Sequence, residues 1–297
     1  MAKVARMTNM SSGPVDVSII IPTLGRNREL LEQCLNSLTK LNFPGQFDVW
    51  VIFNCVKPAE KLPRLPKLNL HQVYLGHNRG FAGAVNKGIR QSSGQLVVLL
   101  NDDTTVQPDW LTKLTDKQAN TGAAMVASTV YLADKTTLDS QGFTFAWRGK
   151  AEALTSTSSS LTKMPDYWLN NPDLLPVTDT ISAYWQEPFG PDAAACLYTR
   201  DLLNEIGLLR EDFFAYLEDV ELSLRARQAG YYCSLAEYAI VYHHKHATSA
   251  TMSGFKAKQD MVNWWKVVRT YPRGAFKFWP KILVERLRNL SGFVKTR

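Results

Sequence analysis

Three short polar clusters carry the residue types for metal chemistry, and each sits at the end of an apolar element. They are Asn101-Asp102-Asp103, Glu218-Asp219 and the run His243-His244-Lys245-His246. Carboxylate oxygens with one imidazole suit Mn²⁺ or Mg²⁺ better than zinc, which favours Cys and several His. Two or three such ligands leave coordination positions open for a diphosphate. Plainer readings stand beside this one. The first cluster could be a solvated turn opening a helix near Asp109, Glu218-Asp219 could simply complement a helix dipole, and the His run could be a solvated strand end.

The elements that must position these clusters are legible from hydrophobic spacing. Leu96–Leu100 is an unbroken aliphatic run after Gly94 and reads as a strand buried on both faces. Carboxylates at the lip of such a strand are expensive unless paired or metal-bound. Open α/β sheets also bind their ligands at the carboxyl ends of strands. Val17–Ile21, Val49–Phe53 and His71–Leu75 read as further strands, with residues 56–69 as a Pro/Lys-rich crossover. Leu30, Leu31, Cys34, Leu35 and Leu38 have helical spacing over 27–38, and the Gly-rich stretch 76–88 enters a helix ending near Ser92. Gly80 and Gly83 fit either a ligand contact or close helix–sheet packing. This alternation predicts a doubly wound α/β sheet.

The second half is patterned differently. Ala123–Val130, Ala193–Tyr198 and Tyr238–Tyr242 read as strands, and Asp201–Ile206 as a short helix. Another helix runs from Glu218 to a stop at Gly230. Residues 133–190 are rich in Ser, Thr and Pro and read as a long functional loop or a set of short elements.

With 297 residues and a net charge of +7, the chain can bury a large core. The charge is concentrated: residues 255–297 hold eleven Lys/Arg against two acids, and the rest is near neutral. A basic tail on a neutral body argues against a nucleic-acid-binding core. Four widely spaced cysteines in apolar surroundings read as reduced, buried residues. Without an apolar run long enough to span a bilayer, and with Met1–Pro14 polar and unlike a signal peptide, the expected place is the cytoplasm.

Five stretches together resemble the family 2 glycosyltransferases, which are inverting enzymes of GT-A fold. These are Ser18–Arg26 (SIIIPTLGR), Asn78–Asn86 (NRGFAGAVN), Leu100–Thr104 (LNDDT), Phe213–Arg225 (FFAYLEDVELSLR) and Val241-Tyr-His243. They occur in family order over about residues 16–250. Phe213–Arg225 and His246-Ala-Thr-Ser249 are most similar to a bacterial rhamnosyltransferase-like branch. The resemblance implies a mixed, mostly parallel sheet flanked by helices. A nucleotide-binding half at 15–122 and an acceptor half at 123–254 would lie between a flexible tail at 1–14 and basic C-terminal helices at 255–297.

The resemblance also implies roles. Asn101-Asp102-Asp103 takes the place of the family's Asp-x-Asp element, with Asn in the first acidic position. Asp103 and His243 then hold the Mn²⁺ or Mg²⁺, and Asn101 and Asp102 face the nucleotide-sugar. Asp219 is the catalytic base and Glu218 supports the base or the acceptor. Pro22, Thr23 and Arg26 line the nucleotide base. The acid usual at the end of the second strand appears as Phe53, so either stacking and Asn54 read the base or the register shifts by one. Asn78, Arg79 and Asn86 face the base and sugar-phosphate. The implied reaction moves rhamnose, galactofuranose or a similar sugar from a dTDP or UDP donor to a surface polysaccharide or lipid-linked glycan. The departures at Asn101 and Phe53 leave a degenerate member that binds without turnover as the alternative. Finally, residues 255–297 read as an amphipathic basic helix whose apolar stripe either meets anionic lipid or packs on the protein or across a homodimer.

Overall fold

The computed structural model describes residues 15–55, 62–63, 65–146, 150–155, 188–245, 253–271, 279–280 and 282–284. The expected N-terminal tail, residues 56–61 of the crossover, residues 147–149 and 156–187 of the Ser/Thr/Pro-rich stretch, His246 and the chain beyond 284 lie outside the described residues.

Four parallel strands build one side of the sheet in the order β3 (Asn69–Tyr74), β2 (Phe47–Phe53), β1 (Val17–Thr23), β4 (Leu96–Leu100). Their alternating side chains serve two cores. Ile19, Ile21, Val49, Val51, Val98 and Leu100 face α1 (Arg28–Leu38) and α3 (Trp110–Thr121) through Leu31, Leu35, Trp110 and Leu114. Ile20, Ile52, Val97 and Leu99 face α2 (Gly80–Gln91), α4 (Arg200–Ile206) and α5 (Glu218–Gln228) through Val85, Ile89, Leu202 and Leu222. Burial on both faces explains why these strands read as continuous aliphatic runs. Asn27 caps α1 by accepting the Leu30 N–H at 3.2 Å.

The sheet then becomes mixed. β10 (Ala195–Thr199) lies antiparallel between β4 and β6 (Met125–Leu132), and β11 (Cys233–His243) follows parallel to β6. The three-residue β5 (Thr104–Val106) pairs antiparallel with the end of β11, and β7 (Leu138–Ser140) pairs with β6. The strand expected at Tyr238–Tyr242 is thus the end of a longer one. A register shift between Ala236 and Ile240 interrupts its alternation and leaves Tyr238 exposed. Part of the irregular stretch forms a hairpin of β8 (Phe143–Ala146) and β9 (Lys150–Ala153).

The basic tail begins as α6 (Ser253–Thr270), which packs on the body. Trp264, Val267 and Tyr271 join Phe143, Phe145, Phe189, Phe213, Val220 and Leu224 in a third apolar cluster. Exposing each such large side chain would forfeit about 1.5–3 kcal/mol, so α6 shares its core with the β8 hairpin and α5.

Of the glycines in the α2 entry, Gly88 is the one against the sheet: a Cβ there would sit 2.5 Å from Ile20. Gly80, at φ +76°, instead abuts the Phe214 backbone, where a Cβ would fall 2.3 Å from the carbonyl oxygen. Gly80→Ala combines that clash with a left-handed alanine and should destabilise the fold by more than about 2 kcal/mol. A thermal melt equal to that of the parent protein would contradict this packing.

Candidate active site

The carboxyl ends of β1, β4 and β11 meet at Asn101-Asp102-Asp103. Thr23, the last residue of β1, donates its hydroxyl to Asp102 at 2.5 Å and accepts the Gly25 N–H at 2.9 Å. Burial pushes the Asp102 carboxyl up to about 6, with the Asp103 charge adding to the rise against the Thr23 hydrogen bond. Asp103 reaches the far end of the chain. β5 and β11 pair Thr104 with His243, which brings His243 Nε2 to 3.2 Å from Asp103 Oδ1. The His244 N–H locks this approach by donating to the Asp103 carbonyl at 2.8 Å.

His243 touches a second acid. Its Nδ1 lies 3.1 Å from Asp139 Oδ2 on β7, and Lys245 binds the other oxygen of Asp139. Burial works against a charged imidazole, yet hydrogen bonds to Asp103 and Asp139 outweigh it and push the His243 pKa up to about 9.

Glu218 and Asp219 open α5, and what precedes them is unusual. Phe214, Tyr216 and Leu217 have φ of 63°, 69° and 66°, a left-handed run without a glycine. Such residues cost on the order of 1–3 kcal/mol each and persist only where their surroundings hold them. Here Phe214 offers its carbonyl to the Phe81 N–H at 2.5 Å. The fully buried Asn263 of α6 donates to the carbonyls of Phe213, Ala215 and Tyr216 at 2.9, 2.9 and 2.7 Å.

The turn presents two carboxyls, Glu218 buried and Asp219 half-buried. Asp219 accepts from its neighbour Val220 N–H at 2.8 Å and from Ala193 N–H at 3.4 Å. Glu218 Oε2 has no hydrogen-bond partner among the described residues. Burial raises both carboxyls above the ordinary range. The charge of Asp192 adds to the rise at Asp219, and those of Asp219 and Asp192 to the rise at Glu218. The helix dipole favours anions here, but burial wins.

The Asn54–Gly80 region is a stapled turn. Asn54 donates to Asn78 Oδ1 at 3.0 Å and to the Gly80 carbonyl at 2.9 Å, and accepts the Arg79 N–H at 2.7 Å. Its amide is buried and engaged in the protein. Phe53 is also buried, stacked on Tyr74 with ring centroids 4.8 Å apart. Asn86 is clamped behind α2, donating to the Leu209 carbonyl at 2.8 Å and accepting the Leu209 N–H at 3.1 Å. Arg26 and Arg79 are exposed, and Pro22 is half-buried. The structure therefore brings together Thr23, Asp102, Asp103 and His243 in one group, Asn54, Asn78 and Arg79 in a second, and Glu218 with Asp219 in a third. Asp139, Asp192 and Asn263 join them without having been singled out in the sequence.

Among the described residues no group of three or more His, Cys, Asp or Glu is arranged to hold a metal. The pair Asp103–His243 nonetheless fits a hard divalent ion chemically: it supplies one oxygen and one nitrogen at the mouth of the sheet and leaves the other positions to phosphate and water.

Residues 18–175 match the Glycosyl transferase family 2 domain, and the chain belongs to that family. The match ends before Asp219 and His243. An N-acetylglucosaminyltransferase of Sinorhizobium fredii is 32% identical over 124 residues, which cover 39% of this chain and 30% of that protein. The chain thus spans about a third of the length of the curated relatives it matches here. Among solved structures, S. aureus TarS 1-349 in complex with UDP-GlcNAc superposes with a TM-score of 0.57 at 18% identity, covering 94% of this chain and 73% of that one. The mannosyltransferase PcManGT from Pyrobaculum calidifontis, in complex with GDP-Man and Mn²⁺, gives 0.57 at 16% identity, covering 96% and 77%. The fold is GT-A.

Asp102, Glu218, Asp219 and His243 all hold their protons more tightly in the fold than in the unfolded chain, where carboxyls titrate near 4 and His near 6.5. Groups raised by folding stabilise it below their unfolded pKa and lose that contribution as pH rises through the folded value. In metal-free buffer the melting temperature should therefore fall steadily from about pH 5 to about pH 9. A flat profile would contradict these environments.

Asn263→Ala should lower stability by about 2 kcal/mol, because one buried and two part-buried carbonyls lose their donor. Denaturant titration measures this.

Proposed function

We propose that this chain is a divalent-metal-dependent, inverting glycosyltransferase that uses a nucleoside-diphosphate sugar. The observation carrying this reading is the division of the site into two halves. A carboxylate–imidazole pair, Asp103–His243, forms one, and a half-buried carboxylate with a raised pKa, Asp219, forms the other.

Asp219 takes the proton of an acceptor hydroxyl as that oxygen attacks the anomeric carbon, while the bond to the diphosphate breaks on the opposite face. One displacement inverts the centre, so one base suffices. Glu218 stays largely protonated beside it and orients the acceptor or the base. Asp103 and His243 hold Mn²⁺ or Mg²⁺, which offsets the charge of the departing diphosphate. Arg26 and Arg79 add exposed positive charge near the turn that Asn54 and Asn78 shape, and Thr23 fixes Asp102 beside the sugar-phosphate.

The named N-acetylglucosaminyltransferase relative and the TarS complex support UDP-N-acetylglucosamine as a first donor to test. The Phe213–Arg225 stretch supports dTDP-rhamnose and UDP-galactofuranose beside it. The acceptor is a hydroxyl of a surface polysaccharide or a lipid-linked glycan.

The C-terminal region suits a place at the inner face of the cytoplasmic membrane. No helix among the described residues is long and apolar enough to cross a bilayer. Val262 and Trp265 of α6, and Trp279, Leu283 and Val284 beyond it, are exposed in a tail whose sequence carries an excess of basic residues. Such a surface meets anionic lipid.

Asp219→Asn should abolish turnover while changing donor affinity little; normal turnover in that variant sinks the base assignment. With the functional donor, kcat/KM should climb with pH across the neutral range, because Asp219 must be ionised and its pKa is raised. EDTA should stop the reaction and Mn²⁺ or Mg²⁺ restore it. Donor binding by the wild type without turnover on any acceptor would instead favour a degenerate binding protein. Trp265→Ser with Trp279→Ser should reduce co-sedimentation with phosphatidylserine vesicles, and unchanged binding would remove the membrane role.

A further inference from the structure

Asp139 has no part in the reaction as derived above, yet its side chain is only 10% exposed and lies against the ring of His243. An imidazole has two nitrogens, and here each faces a carboxylate. Nδ1 lies 3.1 Å from Asp139 Oδ2, and Nε2 lies 3.2 Å from Asp103 Oδ1. The two acids are held differently. Asp139 is fixed from the far side by Lys245, which binds its other oxygen. With Oδ1 taken by the Lys245 ammonium, Oδ2 is the oxygen left to accept from the imidazole Nδ1–H. Asp103 stands at the end of the strand, where ligands of such sheets bind.

This asymmetry decides the tautomer. A permanent acceptor at Nδ1 keeps a proton there, which leaves the lone pair of a neutral imidazole on Nε2. In the metal-free fold Nε2 donates its own proton to Asp103, and a divalent ion that replaces this proton would meet the Nε2 lone pair on one side and the Asp103 carboxylate on the other. A carboxylate behind a ligating histidine is the usual way to fix the ring and strengthen it as a donor.

We propose that Asp139 is a positioning residue that holds the Nδ1–H of His243 and turns Nε2 onto the divalent ion it shares with Asp103. The inference rests on reading Asp103 and His243 as the metal pair. It adds the residue that makes His243 competent for that role, with Lys245 as the brace that keeps Asp139 in place.

The test is Mn²⁺ affinity without any sugar donor, measured as free Mn²⁺ by electron paramagnetic resonance during titration of the full chain. Asp139→Ala should weaken binding about 10–100-fold. Asp139→Asn should lose less, because its amide oxygen still accepts from Nδ1–H, and Asp103→Asn should lose the most. A purely structural Asp139 would lower the melting temperature without changing Mn²⁺ affinity. If folded Asp139→Ala binds Mn²⁺ like the wild type while Asp103→Asn does not, Asp139 has no positioning role and the metal pair stands. If the wild type fails to bind Mn²⁺, or Asp103→Asn binds as tightly, the metal pair itself is wrong and the inference goes with it. A second measurement needs no variant. In the Mg²⁺-loaded wild type, the ¹⁵N signals of His243 should show the proton on Nδ1, and a proton on Nε2 would overturn the proposal.

Discussion

The site depends on a few hydrogen bonds at the entrance to β10. This strand is inserted antiparallel between β4 and β6, and the residues leading into it touch both halves of the site. The Ala194 carbonyl accepts the Asn101 N–H at 2.9 Å, one residue from the acids of the strand end. The Ala193 N–H points to Asp219 Oδ2, and Asp192 accepts from the Ala194 N–H at 2.9 Å while its charge reaches Asp219. A single peptide segment thus sets the spacing between the strand end and the opening of α5. Because β10 is held by strands on both sides, backbone geometry fixes the strand-end side of that spacing, and the Asp219 carboxylate makes the contact on the other side.

The turn that opens α5 adds a second constraint. A left-handed run of Phe214, Tyr216 and Leu217 is unfavourable in isolation, so it must be held from outside. It is held twice, by Phe81 of α2 and by Asn263 of α6. The same helix has Val262 and Trp265 on its outer side. The element that faces solvent with apolar residues is therefore the one that fixes the turn carrying Glu218 and Asp219.

Much of the fold was legible because local signals and tertiary outcome agree. The aliphatic runs of β1, β2 and β4 can be satisfied only by burial on both faces, and the spacing in α1 and α2 allows only one packed face. The direction of β10 was not legible. Ala195–Thr199 reads as a strand, but nothing local tells an antiparallel insertion from another parallel strand. β5 is too short to show a period at all. In the tail, an amphipathic pattern reveals an apolar stripe from Phe276 without saying what covers it. Its described members Trp279 and Leu283 are exposed, while Trp264, Val267 and Tyr271 pack on the body. Asparagines were the hardest to read. Asn54 and Asn86 suit a ligand in type, but the same amide suits loop carbonyls, and in the fold both are engaged there. Asn263 and Asp139 carry no sequence signal, because their importance comes from partners far away in the chain.

The pairing of β5 with the end of β11 also bears on how the protein comes to exist. Asp103 and Asp139 are made early, while His243 lies 104 residues beyond Asp139. Long-range strand pairs form late, since the loop between them must close before any contact rewards it. A chain growing from its N-terminus can fold β1–β4 and their helices first. Until β11 docks, neither Asp103 nor Asp139 has the imidazole that bridges them. Docking of β11 is therefore the step that brings the two acids to one ring, and the half-made protein has a strand end with no imidazole beside it.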